Sequence, residues 1–114
     1  MKWLVVLAAA AACNKPPDPP PPPPEAMPAA EVKRGQDACQ AYVAKVCACA
    51  DKLPAMKQPC ALARALPDAI TVAVDVAGNP ESTRRDSRQS AASVRGIVKT
   101  CIEETAKLPA AGCP

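Results

Sequence analysis

The stretch QDACQAYVAKVCACADKL, residues 36–53, decides how the rest of the chain is read. Its apolar positions Cys39, Tyr42, Val43, Val46, Cys47, Ala50 and Leu53 recur at steps of three and four. That spacing places them on one face of an α-helix, so an amphipathic helix is predicted here, stopped by Pro54. Gln36 and Asp37 fall in its first turn. Further along, Cys60, Leu62, Leu66, Ile70, Ala73 and Ala77 keep helical spacing, and Pro67 predicts a kink or restart. Residues 70–76, ITVAVDV, also alternate with period two. A lone strand would have no partner in this chain, so a helix is expected there too.

The quartet AGNP, residues 77–80, predicts a clear break. Gly78 suits the position just past a helix end, with Asn79 as N-cap and Pro80 as first residue of a third helix. Glu81 then lies in the first turn, where its charge suits the helix dipole. Val94, Ile97, Val98, Cys101, Ile102, Thr105 and Leu108 form the apolar stripe of that helix, which Pro109 ends. The fold class predicted is all-α: a small three-helix, disulfide-stapled domain over residues 35–114, with the second helix broken.

Composition explains the need for staples. The chain has 114 residues, one Trp, one Tyr and no Phe, so its core is built from Ala, Val, Leu and Ile. About 80 residues of that composition bury too little for independent stability without an added constraint. Seven cysteines are present. Setting Cys13 aside leaves Cys39, Cys47, Cys49, Cys60, Cys101 and Cys113, an even number with fifteen possible pairings. Cys47 and Cys49 are two residues apart on a helix, so they point to different sides. Cys60 lies just across a short turn from Cys49. With the third helix taken antiparallel to the first, the expected set is Cys49–Cys60, Cys47–Cys101 and Cys39–Cys113. A competing set exchanges Cys47 and Cys49.

The front of the chain reads differently. Lys2 supplies one positive charge, and residues 3–12 are an unbroken run of ten apolar residues. Ten residues fall short of the roughly 20 that span a bilayer and suit the apolar region of a signal peptide, residues 1–12. Ala10, Ala11 and Ala12 supply small residues before Cys13. This AAAC stretch resembles the lipobox of bacterial lipoproteins, with Ala10 where that family usually has Leu. The resemblance covers only residues 1–13. It implies cleavage before Cys13, a diacylglycerol thioether on its sulfur, and acylation, palmitate included, of the freed amine. It also implies a membrane partner through the lipid anchor. Asn14 replaces the Asp that often retains such proteins at the inner membrane. That points to the outer membrane, facing periplasm or cell surface.

Residues 13–34 then read as the anchor followed by a disordered linker. Pro16, Pro17 and Pro19 to Pro24 enclose Asp18. Such a run adopts polyproline II and extends about 28 Å over residues 16–24.

Residue types limit the chemistry. There is no His, which removes the commonest general base, the usual activator of a Ser or Cys nucleophile and the commonest metal ligand. Ser82, Ser87, Ser90 and Ser93 therefore have no His partner. Lys plus Arg number 14 against 11 Asp plus Glu, a net charge of +3 without the dense basic stripe of a nucleic-acid binder. Arg84, Arg85, Arg88 and Arg95 gather on the opening half of the third helix. They read as a solvated face or, more sharply, as a contact for an anionic partner such as lipid headgroups or an acidic protein surface. Glu103 and Glu104 are adjacent in sequence, so their side chains diverge.

The function expected is a non-enzymatic, membrane-tethered envelope module that binds another protein or acts structurally, with no cofactor and no nucleic-acid partner. Two alternatives stand beside it. One is a thiol-redox or soft-metal protein using Cys47 and Cys49 with Cys60. The other is a small carrier of lipid or another ligand between its helices.

Overall fold

The structure is a computed structural model that describes residues 14–20 and 26–114. Cys13, the signal peptide and part of the proline run lie outside the described residues. Residues 14–20 are exposed and carry neither helix nor strand.

The domain is all-α, as its periodicity implies. Helix α1 runs Ala29–Ala50, followed by a 3₁₀ turn at Pro54–Met56. Helices α2, Lys57–Ala63, and α3, Ala65–Gly78, form one broken second arm, and α4 spans Arg84–Lys107. No strand occurs among the described residues, and ITVAVDV is wholly inside α3.

Several boundaries differ from expectation. Helix α1 begins at Ala29, inside the segment predicted as linker. The Pro28 carbonyl accepts from the amides of Glu31 at 3.0 Å and Val32 at 3.1 Å. Ala, Glu, Lys and Arg over residues 29–34 favour helix, and Lys33 pairs with Asp37 one turn on at 2.9 Å. The break in the second arm falls at Arg64, ahead of Pro67. Pro67 has no amide to donate to the carbonyl four residues back, at Ala63. The ladder therefore ends at Ala63, and Pro67 sits in the first turn of α3, where no donor is required.

The start of α4 is a second correction. Asn79 is not its N-cap; it ends α3, and its side-chain oxygen accepts from the Glu81 amide at 2.9 Å. Thr83 caps α4 instead. Its hydroxyl accepts from the Asp86 amide at 3.1 Å, and the Asp86 carboxylate accepts from the Thr83 amide at 3.3 Å. This reciprocal box satisfies two backbone donors, more than the Asn79–Pro80 alternative offers. Gly78 is the last residue of α3 rather than a left-handed cap. Among the described residues, positive φ falls at Gly112 alone, at 95°. There it lets the tail turn back so that the Cys113 amide donates to the Leu108 carbonyl at 2.9 Å.

The largest correction concerns direction. The three arms run up, down and up, which makes α1 and α4 parallel. Arg95 meets Glu31 across a separation of 64 residues. The disulfides Cys39–Cys101 and Cys49–Cys113 span 62 and 64. A nearly constant offset is the signature of parallel neighbours. The second arm runs against α1, as Gln36 donates to Thr71 near one end and Cys47 bonds Cys60 near the other. Cys47 therefore pairs with Cys60, Cys39 with Cys101 and Cys49 with Cys113, in place of the set expected from an antiparallel third helix. Cys47 and Cys49 do point to different neighbours.

The core is small and sulfur-rich. Cys39, Cys49, Cys60, Cys101 and Cys113 are buried together with Val46, Ala63, Ile70, Val94 and Leu108. Tyr42 is the one buried aromatic among the described residues, and burial pushes its phenol pKa up, with the Glu104 charge adding to the rise. Half-cystines thus fill space that aromatic rings fill elsewhere.

Candidate functional site

Cys47 and Cys49, the candidates for redox or metal chemistry, are both committed. Cys47 is bonded to Cys60 and Cys49 to Cys113, with Cα–Cα distances of 4.7 and 5.6 Å. In this state neither offers a thiolate, the form needed for nucleophilic attack or metal ligation. Cys13, the candidate lipidation residue, lies outside the described residues.

The arginines are brought together in part. Arg84, Arg88, Ala91 and Arg95 fall at steps of four, three and four along α4, so they share one face. That face forms one wall of a cleft of about 260 Å³, closed on the other side by Ala26, Met27 and Pro28, where the chain enters the bundle. Arg85 does not line this cleft. Among the described residues, neither Arg84 nor Arg88 makes an ion pair. Arg84 and Arg85 also occupy the first turn of α4, where the helix dipole disfavours positive charge. Asp86 is the acid of that turn, and its carboxylate is engaged in the capping box.

Arg95 is held differently. Its Nε donates to Glu31 Oε1 at 2.7 Å and a terminal nitrogen donates to Oε2 at 3.3 Å. This two-pronged contact holds the Glu31 carboxyl below the usual carboxylate range and the arginine above its own. It also fixes Arg95 at the cleft edge, since both its forward prongs face Glu31.

Ser87 is the feature that the sequence does not advertise. It lines the cleft yet is only 3% exposed, and its hydroxyl has no hydrogen-bond partner. A buried hydroxyl without a partner is unfavourable, and most such groups in folded proteins are satisfied. The sequence placed Ser87 among serines lacking a His partner. Its burial follows from its position on α4 between Arg84 and Ala91, on the side turned to the incoming chain.

A second groove adjoins the first. It has a volume of about 290 Å³ and is lined by Gly35, Ala38, Val94, Val98 and Ile102, with Glu31, Arg34 and Arg95 at its edge. Ile102 is 57% exposed. Arg95 lines both hollows, so the Arg95–Glu31 pair stands between a cationic cleft and an apolar groove. The groove is shallow because the helices nearly touch: a Cβ built on Gly35 would lie 2.6 Å from Val98 Cγ2. Glu103 and Glu104 diverge, Glu104 pairing with Lys107 at 2.8 Å and Glu103 with Lys99 at 3.8 Å. Comparison with protein families, with curated proteins and with solved structures finds no match for this chain.

Proposed function

We propose that this protein is a lipid-anchored module of the bacterial cell envelope that works by binding another protein, without catalysis of its own. The observation that carries the reading is the division of its sulfur. Six cysteines close into three disulfides inside the bundle. Cys13 then has no cysteine left in its own chain to pair with, and it stands directly after an apolar run of signal-peptide length. Disulfides inside the bundle fit an exported protein, since oxidising compartments preserve them. No helix among the described residues is long and apolar enough to cross a membrane, so attachment rests on the acyl chains of Cys13. Two or more chains give stable anchoring where one gives only marginal binding.

A protein partner is favoured by the outer face of the second arm. Leu62 and Val72 are 66% and 64% exposed, with Val76 beside them. Ala65, Ala69, Val72 and Val76 follow at helical steps, a continuous apolar face that the bundle does not cover.

The test is the intact mass of the full chain extracted in detergent from a bacterial envelope. The mass expected starts at Cys13, carries a diacylglycerol and an amide-linked acyl chain, and is short of six hydrogens for three disulfides. A mature chain that starts elsewhere, or that starts at Cys13 without lipid, contradicts the anchor. Leu62→Asp with Val72→Asp, both on the surface, is expected to leave the fold intact and to lose partner proteins recovered from cross-linked envelopes. Unchanged recovery contradicts the assigned face.

A further inference from the structure

We infer that the cleft between α4 and the entering chain, together with the apolar groove beside it, binds the phosphate ester and chain of an anionic phospholipid. Three independent features converge on this ligand. The first is charge without a partner: Arg84 and Arg88 share a face, make no ion pair among the described residues, and Arg84 sits where the helix dipole opposes it. A local arrangement that works against stability, with no ion pair to offset it among the described residues, is characteristic of functional positions. The second is Ser87, whose hydroxyl is buried in the cleft wall with no partner. A phosphate oxygen would supply the acceptor that the guanidinium donors and this O–H donor are without. Arginine forks match phosphate geometry, and charge-assisted hydrogen bonds of this kind are the strong ones.

The third feature separates a lipid from free phosphate. The apolar groove begins where the cleft ends, with Arg95 in both walls. Glu31 fixes Arg95 at that boundary through two hydrogen bonds of 2.7 and 3.3 Å. A ligand whose phosphate meets Arg84, Arg88 and Ser87 can lay a chain against Val94, Val98 and Ile102 without crossing open solvent. The two hollows are of small-ligand size, about 260 and 290 Å³, suited to a headgroup and one short stretch of chain rather than to a fully enclosed lipid. The Met27–Pro28 wall places the cleft at the end of the bundle where the tether enters. An anchored chain would thus present it towards the membrane. That last point rests on the envelope reading; the affinity itself does not, so the binding test and the intact-mass test can fail independently.

The experiment is amide NMR of the ¹⁵N-labelled full chain in maltoside micelles. It is titrated with dihexanoyl-phosphatidylglycerol, with inorganic phosphate, and with dihexanoylglycerol, which has the same chains and no phosphate. The phospholipid is expected to give saturable shifts at Ser87 and Arg88 and also at Val98 and Ile102, at least tenfold tighter than either other probe. Arg88→Gln and Ser87→Ala should each weaken binding about tenfold while signals from α3 and the Cys49–Cys113 end stay in place. Arg85→Gln, on the same turn but outside the cleft, should change affinity less than twofold. Inorganic phosphate binding as tightly as the phospholipid, with Val98 and Ile102 unmoved, overturns the lipid assignment. Dihexanoylglycerol binding as tightly overturns the phosphate assignment. No saturable shift with any probe, or equal losses from Arg85→Gln and Arg88→Gln, overturns the site.

Discussion

At the scale of single residues, two pairs of effects show how the surroundings decide the sign of a substitution. Gly35 and Gly96 are both helical. A Cβ on Gly35 would press to 2.6 Å on Val98, whose branched side chain has little rotamer freedom in a helix, whereas a Cβ on Gly96 meets nothing within 4 Å. Gly96→Ala should therefore stabilise by up to about 1 kcal/mol through helix propensity. Gly35→Ala should destabilise by about 1–2 kcal/mol, because overpacking outweighs the propensity gain. Denaturant titrations of both, with Val98→Ala added to relieve Gly35→Ala, check this; equal effects from the two glycines would contradict the close contact. The second pair of effects belongs to Ser87 alone. Replacing its unpartnered hydroxyl by a methyl in Ser87→Ala should raise stability by about 1 kcal/mol while it weakens ligand binding. A loss of stability on that substitution would mean the hydroxyl already has a partner in the folded chain.

At the scale of elements, the Glu31–Arg95 pair on the seam between α1 and α4 adds to the fold's pH response. Arg95 lowers the Glu31 carboxyl in the folded state relative to the unfolded one. A depressed carboxylate contributes stability above its unfolded pKa and loses it as pH falls through the folded value. The melting temperature should thus fall on acidification below the ordinary carboxylate range. Glu31→Gln should flatten that fall: less stable than the parent at neutral pH and converging with it in acid. Parallel melting curves across pH would contradict the seam. Much of this level was legible in the sequence. The steps of three and four over residues 39–53 and 94–108 mark two helices correctly, and ITVAVDV is a helix for the reason given, a missing strand partner. The start of α4 was also written there, as Thr83 followed three residues later by Asp86, but Asn79–Pro80 is the more conspicuous signal. What was not legible was direction. Helical periodicity reports which face is buried and says nothing of whether two helices run together or opposed. The partners expected for Cys101 and Cys113 failed on that point, whereas Cys60 bonds Cys47, as the competing set had it, because Cys47 and not Cys49 faces the second arm. The Ser87 environment was hidden for a related reason: its wall is Met27 and Pro28, which lie in what reads as linker.

At the scale of the whole molecule, the bundle is stable because sulfur replaces what composition withholds. With one buried aromatic among the described residues and many alanines, burial alone leaves little margin for a domain of this size. The loops closed by Cys39–Cys101 and Cys49–Cys113 are long, 62 and 64 residues, and each bond restricts the unfolded chain by about 4 kcal/mol on loop-closure entropy. Because the loops overlap, the two contributions do not simply add. Together they fix α1 and α4 at both ends of their contact, while Cys47–Cys60 fastens the second arm. Full reduction should abolish cooperative thermal unfolding; a reduced chain that still melts cooperatively near the oxidised one would show that packing suffices.

The arrangement of the three arms, and the accounting of sulfur that leaves Cys13 for lipid, both stand on one pairing of cysteines. Trypsin digestion of the non-reduced protein, read by mass spectrometry, tests it directly. Parallel α1 and α4 predict that peptide 35–45 is linked to 100–107 alone, and that peptide 46–52 is linked to both 58–64 and 108–114. Peptide 35–45 linked to 108–114, the product of a bond between Cys39 and Cys113, would contradict the parallel bundle.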